Sequence, residues 1–203
     1  MTPDYRDALS LQLGFPSPQI PALRQYMSLL WSANEELNLF SRQMPHQELI
    51  DNHLIDCLLP LSLLPQDLKV MADFGSGGGL PGVIYALARP HTQVQLYEKS
   101  PKKREFLSKC RTLAPNLEVF GEIPLELANV ELITARAFKP LDVILDLSRN
   151  YYKKKGRYFL LKGRLEKINE EILLSKKKFK DLKVEVKALQ SPLMNVERNL
   201  VLI

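Results

Sequence analysis

Five glycines fall within eight positions of the chain, and they constrain its fold more than any other feature. The stretch reads DFGSGGGLPG at 73–82; the apolar run KVMADF at 69–74 leads into it, and a helical pattern begins at Pro81. Glycine loses more conformational freedom on folding than any other residue, and a simple turn needs only one or two. A strand, a glycine loop and a helix in this order predict a Rossmann-type ligand site at the carboxyl end of a parallel sheet.

The glycine loop fits two cofactor patterns. Gly77, Gly79 and Gly82 fit the dinucleotide fingerprint G-x-G-x-x-G, whereas Asp73, Gly75, Gly77 and Gly79 fit D-x-G-x-G-x-G, which surrounds an adenosyl-amino acid. Glu98 follows 23 residues after Gly75, where an acidic residue can bind ribose hydroxyls, but both cofactors carry a ribose. We expect no second domain that could hold a nicotinamide substrate, and this favours methyl transfer. An NAD-binding oxidoreductase with a helical cap remains the alternative.

Segments of strand length alternate with helical patterns in the rest of the chain, as in a parallel α/β sheet. Strands are predicted at 69–74, 93–98, 117–122, 130–135, 157–161, 182–189 and 198–203, and helices at 81–89, 101–113, 140–152 and 164–180. No helix separates the last two strands, so we expect them to pair antiparallel.

The first 65 residues predict helices and no strand. Apolar residues recur at helical spacing from Ala22 to Asn34, and a further helix is predicted between Pro45 and Leu64. We therefore predict an N-terminal helical subdomain at 1–65 and a Rossmann-like domain at 66–203.

Composition narrows the class of protein. No apolar run reaches membrane-spanning length, the N-terminus lacks a signal-peptide pattern, and Cys57 and Cys110 have no metal-binding spacing. Residues 1–98 hold 5 Lys/Arg and 10 Asp/Glu, whereas residues 99–203 hold 23 and 13. The basic half suggests a polyanionic partner. We expect a cytoplasmic, monomeric protein that binds no metal.

These motifs resemble those of the bacterial small-subunit (16S) ribosomal RNA guanine-N7 methyltransferase G family, also called the glucose-inhibited division protein B family. The resemblance covers nearly the whole chain and is most specific in DFGSGGGLPG, in Arg89-Pro90 and in LYEKSPKKREFL at 96–107. Departures from the family pattern occur at Phe40, Asn52, Cys57 and Asn199. The resemblance implies a Rossmann-like class I S-adenosylmethionine-dependent methyltransferase sheet. That sheet has seven mostly parallel strands, an antiparallel last strand and an N-terminal helical extension.

The resemblance also implies the site residues. Cofactor contacts are expected from Asp73, Gly75, Gly77, Gly79, Leu80, Glu98, Ile123, Pro124 and Arg136, and catalytic roles from Asn38, His53, Arg136, Lys162 and Arg198. Spacing alone would make His53 and Asp56 a surface pair on one helix face, but the resemblance places them at the wall facing the cofactor. The implied cofactor is S-adenosylmethionine, and the implied substrate is a guanine in the 530 loop of 16S rRNA.

Guanine N7 sets few chemical demands, because it carries an in-plane lone pair and no proton. No general base is therefore expected, and His46, His53 and His91 lack metal-ligand spacing. N7 lies on the edge that faces the major groove, which side chains cannot enter in A-form RNA. The target guanine should therefore lie in a loop or be flipped out of its stack.

A cluster of cations follows Glu98. Lys102, Lys103, Arg104, Lys109 and Arg111 are predicted to lie on one helix, and we expect the first three to point outward and to hold RNA phosphates. A solvated helix face is the alternative, in which case the RNA-binding surface would lie among residues 153–164.

Overall fold

Seven β-strands form one sheet in the computed structural model, which describes residues 5–192 and 196–203. The strands are Val70–Phe74 (β1), Gln93–Tyr97 (β2), Leu117–Phe120 (β3), Leu132–Arg136 (β4), Arg157–Lys162 (β5), Glu185–Leu189 (β6) and Arg198–Leu202 (β7). Their order is β3-β2-β1-β4-β5-β7-β6, and β7 runs antiparallel to both of its neighbours. The predicted strands, the mostly parallel sheet and the antiparallel last pair are confirmed.

Helices cover both faces of the sheet, and the central strands β1, β4 and β5 are accordingly almost continuously buried. The helices are Tyr5–Gln12 (α1), Ile20–Leu37 (α2), His46–Glu48 (α3), Ile55–Leu58 (α4), Gly82–Ala88 (α5), Pro101–Lys109 (α6), Leu141–Leu147 (α7), Arg149–Lys153 (α8) and Leu165–Lys178 (α9). The four helices predicted after residue 80 are confirmed, with a break at Ser148 between α7 and α8. Among the residues described, no helix has both the length and the apolar character that a membrane crossing requires.

The helix predicted between Pro45 and Leu64 is confirmed as far as Leu58, but it is not a regular α-helix and it ends earlier than predicted. The segment consists of α3, a π-helical stretch at Leu49–Leu54, α4 and a 3-10 turn at Leu61–Leu63. α4 ends before Pro60, because proline lacks an amide hydrogen and its ring collides with the preceding turn. π-helical stretches are often found at functional sites, and this one carries His53.

The N-terminal helices share a hydrophobic cluster with the sheet. That cluster extends from Leu9 on α1 to Leu200 on β7. Tyr26 and Leu30 on α2 are fully buried, and Tyr26 Oη donates a hydrogen bond to the carbonyl of Gly78 at 2.8 Å. α2 therefore packs directly on the glycine loop. The division of the chain at residue 65 stays a prediction.

Candidate active site

A cavity of about 330 Å³, here called the glycine-loop cavity, opens at the carboxyl ends of β1 to β4. This is where a parallel α/β sheet binds its ligand. The predicted site residues that line it are Gly75, Gly77, Leu80, Glu98, Ile123, Arg136 and His53. Asp73, Gly79, Pro124 and Asn38 are not among the described residues of its wall. Asn38 instead ends α2 in a left-handed conformation.

The glycines of the loop lack a side chain for different reasons, because a Cβ would meet different atoms at each position. A Cβ on Gly75 would lie 2.1 Å from the Phe138 ring, and one on Gly79 would lie 2.4 Å from Val83. Gly77 also has a positive φ, of +56°, but it has no such neighbour. A Cβ there would meet only the Gly75 carbonyl, at 3.8 Å. Packing within the protein thus explains Gly75 and Gly79. The open space before Gly77 fits the close approach of a ligand.

Asp73 lies behind the loop at the end of β1 and is fully buried. Its Oδ2 accepts a hydrogen bond from the backbone nitrogen of Gly82 at 3.1 Å, at the start of α5. Burial raises the pKa of Asp73 to about 7, although the Gly82 hydrogen bond opposes this rise. The geometry thus gives Asp73 the role of holding the loop against α5, rather than a place in the cavity wall.

Glu98 ties two loops together at the rim of the glycine-loop cavity. Its Oε2 accepts from the nitrogen of Gly77 at 2.9 Å, and its Oε1 accepts from the nitrogen of Ser100 at 2.8 Å. Arg104 supports the same corner, because its Nη1 donates to the carbonyls of Glu98 at 3.1 Å and Lys99 at 2.7 Å. Each carboxylate oxygen of Glu98 retains a lone pair that could accept from a ribose hydroxyl.

A buried polar cluster joins the N-terminal region to β4 and β7. Both terminal nitrogens of Arg136 lie 3.0 Å from His53 Nδ1, and Arg136 Nη1 lies 3.8 Å from Asp56 Oδ2. Arg198 Nε donates to the same Asp56 oxygen at 2.8 Å. His53 Nδ1 can only accept here, so the ring is neutral and its proton is on Nε2. His53 Nε2, Asp56 Oδ1 and Arg136 Nε are buried without a partner among the described residues, so the network is incompletely satisfied.

The surroundings of this cluster shift two pKa values. Burial and the charges of Arg136 and Arg198 lower the pKa of His53 to about 4. Burial also raises the pKa of Asp56, while the hydrogen bond from Arg198 opposes that rise. His53 is therefore neutral at pH 7 and a weak proton acceptor.

We expect His53→Asn to reduce the acid sensitivity of the fold. Between pH 6.5 and about 4, the unfolded chain binds a proton at His53 that the folded protein excludes. The free energy of unfolding should therefore fall on acidification by up to about 1.4 kcal/mol per pH unit from this group. Denaturant unfolding at a series of pH values measures the difference between wild type and variant. His91→Asn, at an exposed histidine, is the control, and equal slopes in all three proteins would contradict the prediction.

A second cavity, of about 430 Å³, lies beyond Arg136 on the side of β5 and β7. Of the predicted site residues, it is lined by Lys162, Arg198 and again Arg136; Asp56 and Glu171 also contribute to its wall. The stretch 136–138 lines both cavities and is therefore their common wall.

Several wall residues were missed by sequence reasoning. Phe138 and Lys103 line the glycine-loop cavity together with Leu30, Leu39 and Phe40 from the N-terminal region. The last three look like ordinary core residues, and only contacts between distant segments bring them to the site. Phe138 and Lys103 could have been found, because each follows the carboxyl end of a strand that the sequence predicts.

The fold is that of class I methyltransferases, with the glycine-loop cavity at the carboxyl edge of a Rossmann-like sheet. A putative O-methyltransferase from Klebsiella pneumoniae shares the fold with a TM-score of 0.60 at 14% identity, over 97% of this chain and 94% of that chain. The precorrin-6y C5,15-methyltransferase of Geobacter metallireducens has a TM-score of 0.56 at 16% identity, over 83% and 94%. At these identities the likeness shows the fold alone.

The chain belongs to the rRNA small subunit methyltransferase G family. Residues 19–201 match the GidB family, which carries that description. The ribosomal RNA small subunit methyltransferase G 1 of Bdellovibrio bacteriovorus is 61% identical over 200 residues, or 98% of each chain. The relative from Pelagibacter ubique is 35% identical over 159 residues, 74% of this chain and 75% of that one. The resemblance and the enzyme class are confirmed, and the oxidoreductase alternative finds no support.

Methyltransferases of this class use S-adenosylmethionine, and the residues of the glycine-loop cavity fit that cofactor. The uncovered face of Gly77 leaves room for its bulk beside the backbone. Glu98 and Ile123 both line the cavity, so Glu98 could accept hydrogen bonds from the ribose hydroxyls of the cofactor and Ile123 could pack against its adenine.

We expect Glu98→Ala to weaken S-adenosylhomocysteine binding by about 1–3 kcal/mol, because hydrogen bonds to a charged group are lost and Gly77 loses its tie. Calorimetry should compare S-adenosylhomocysteine with its 2′,3′-dideoxy analogue. The analogue should bind wild type more weakly, but the variant should distinguish the two little. Glu122→Ala, at an exposed carboxylate after β3, is the control. Equal discrimination by wild type and Glu98→Ala would place the ribose elsewhere.

Proposed function

We propose that the protein transfers a methyl group from S-adenosylmethionine to N7 of a guanine in the 530 loop of 16S rRNA, as a cytoplasmic monomer. Its relatives are named as methyltransferases of small-subunit rRNA. The choice of N7 follows from the resemblance to guanine-N7 methyltransferases. Two groups of the glycine-loop cavity that could otherwise take a proton are already engaged. His53 has its Nδ1 facing Arg136 and a pKa of about 4, and both Glu98 oxygens already accept backbone hydrogen bonds.

Bound S-adenosylmethionine supplies a methyl group on a positively charged sulfonium. Guanine N7 has a lone pair and no hydrogen, so the protein need not remove a proton before transfer. Its contribution is to hold the base in line with the methyl group and to exclude water. The glycine loop, held by Tyr26, Asp73 and Glu98, provides a fixed floor for the donor. Arg136 contributes a fixed positive charge at the common wall.

The decisive experiment identifies the modified atom. The protein is incubated with isotope-labelled S-adenosylmethionine and either naked 16S rRNA or intact small subunits, and the digested nucleosides are analysed by mass spectrometry. We expect 7-methylguanosine, which chain cleavage should map to the 530 loop. Methylation of a ribose, or of a base nitrogen that must first lose a proton, would contradict the proposal. Calorimetry with NAD in parallel should show no binding.

The expectation that the first three cations of α6 point outward is wrong at Arg104 and Lys103. Arg104 folds back onto the carbonyls of Glu98 and Lys99, where it satisfies backbone acceptors at the end of β2. Lys103 lines the glycine-loop cavity. Lys102 and Arg111 are exposed, so we propose that these two carry the RNA contact of this surface.

We expect the double change Lys102→Gln and Arg111→Gln to weaken rRNA binding and leave S-adenosylmethionine affinity unchanged. Each lost phosphate contact should flatten the salt dependence of RNA binding by about 0.7–0.9 in log–log slope. Filter binding across a salt series measures this. Arg104→Gln is the contrasting variant, since it should weaken cofactor binding and keep the slope. If the double variant showed the wild-type salt dependence of RNA binding, the RNA-binding surface would have to be sought at residues 153–164 instead.

A further inference from the structure

The two cavities share three consecutive wall residues, Arg136, Ala137 and Phe138. The second cavity therefore adjoins the glycine-loop cavity along this stretch. We propose that the second cavity holds the flipped-out target guanine, and that Glu171 and Lys162 select guanine by reading its Watson–Crick edge. This inference rests on the proposed function and adds the site and the means of base selection.

The lining of the second cavity suits a nucleotide. Its charged side chains are the cations of Arg136, Lys139, Lys162 and Arg198 and the anions of Asp56 and Glu171. The excess of positive charge favours a ligand that carries a phosphate. Phe138 adds an aromatic face, and flipped bases commonly stack on such faces. The volume, about 430 Å³, lies within the usual range of about 300–1,000 Å³ for small-molecule sites.

The Lys162–Glu171 pair leaves one donor and one acceptor unused. Lys162 Nζ lies 2.5 Å from Glu171 Oε2, and both side chains are nearly buried, at 13% and 12% exposure. Glu171 Oε2 also accepts from the nitrogen of Leu141 at 2.9 Å, and Lys162 Nζ also donates to the carbonyl of Lys139 at 3.2 Å. Within the described part of the chain, Glu171 Oε1 accepts no hydrogen bond, and one N–H of Lys162 remains.

A donor beside an acceptor matches guanine and opposes adenine. Guanine presents O6, an acceptor, next to N1–H, a donor; adenine presents a donor amino group next to an unprotonated N1. In this proposal Lys162 faces the C6 substituent and Glu171 faces N1. Lys162 then donates to O6 of guanine while Glu171 accepts from N1–H, whereas adenine held in the same orientation would leave both groups unmatched. Contact with O6 and N1–H leaves N7, on the neighbouring Hoogsteen edge of the base, free to face the donor. Glu171 is thereby a specificity-determining residue that the sequence did not indicate.

The competing interpretation is a structural ion pair that fixes α9 to β5. Base selection and a purely structural role can be distinguished with 530-loop RNAs that carry guanine, inosine or 2-aminopurine at the position that wild type methylates. All three bases keep N7, but 2-aminopurine lacks O6 and the N1 proton. Single-turnover methylation is measured for wild type, Glu171→Gln and the control Glu170→Gln, whose parent residue is exposed and paired with Lys167 on the same helix. Comparing ratios between proteins cancels the intrinsic reactivity of each base.

We expect wild type to methylate inosine within a few-fold of guanine and 2-aminopurine at least 100-fold more slowly. Glu171→Gln should lower the guanine rate at least 10-fold and narrow the guanine to 2-aminopurine ratio at least 10-fold, while Glu170→Gln keeps the wild-type ratio. If Glu171→Gln proves unstable, Lys162→Gln tests the same discrimination from the donor side. Equal losses on all three RNAs would overturn this inference and leave the proposed function intact. Failure of wild type to produce 7-methylguanosine would overturn the proposed function as well.

Discussion

Gly77→Val is expected to abolish S-adenosylmethionine binding while the protein remains folded. The added side chain would enter the glycine-loop cavity, where a Cβ on Gly77 meets no atom closer than 3.8 Å. The positive φ of this residue adds a strain of about 1–2 kcal/mol for a residue with a Cβ. Such a strain is a small part of the usual stability of a domain, so loss of binding should not follow from unfolding. Calorimetry with S-adenosylmethionine, together with circular dichroism, measures both properties.

Gly14→Val is the matched control for backbone strain. Gly14 has a φ of +89°, and a Cβ there would meet nothing within 4 Å. It should therefore show the stability cost without the loss of cofactor. Gly75→Val should also abolish binding, but it must displace the Phe138 ring and should destabilise the fold more. If folded Gly77→Val protein bound S-adenosylmethionine with unchanged affinity, the cofactor could not lie against this loop.

Arg136→Ala is expected to reduce methyl transfer to 16S rRNA by about 100-fold or more at saturating cofactor. The guanidinium contacts His53 and Asp56 and lies on the common wall of the two cavities. Interactions of charged groups contribute about 1.5–3 kcal/mol each, and about 1.4 kcal/mol corresponds to a factor of ten in rate. Single-turnover kinetics at saturating S-adenosylmethionine measure the loss, and calorimetry separates it from cofactor binding.

Arg136→Lys should recover little of this activity, because a single ammonium cannot reproduce the planar fork of arginine. Arg149→Ala is the control, since Arg149 lies on the surface, where it pairs with Asp146 and lies over the Phe179 ring, and it lines neither cavity. A rate for Arg136→Ala within a few-fold of wild type would make the buried cluster a structural feature of the fold alone.

The sequence predicted the sheet because the signals of its strands are local. β1 and β4 are short apolar runs between polar or glycine-rich segments, and Ser100 with Pro101 marks the first turn of α6. The helical segment before Pro60 was less predictable. An i to i+5 turn has almost the same apolar spacing as an ordinary helix, so the pattern alone does not reveal it.

The candidate site could be predicted only in part, because it depends on contacts between distant segments. Tyr26 and Gly78 are 52 residues apart, and His53 and Arg136 are 83 apart. The sequence shows which residues these are, but it does not show that the members of each pair are in contact. Arg104 shows the opposite difficulty, since a cation in a basic run looks like a surface group and instead serves backbone carbonyls. Short-range patterns predicted the glycine loop at which we propose cofactor binding, whereas the wall opposite it required the folded chain.

In a homologous protein, substitution of one glycine of this loop has a different meaning from substitution of another. Leu30 of α2 would lie 2.6 Å from a Cβ on Gly78, and Val83 would lie 2.4 Å from one on Gly79. A chain with a larger residue at either position would have to rebuild its interior, whether or not it still bound a nucleoside. A chain altered at Gly77 alone could keep the same architecture as an inactive copy. When a genome carries paralogues of this protein, the residue at position 77 is therefore the one that should indicate which copies have lost cofactor binding.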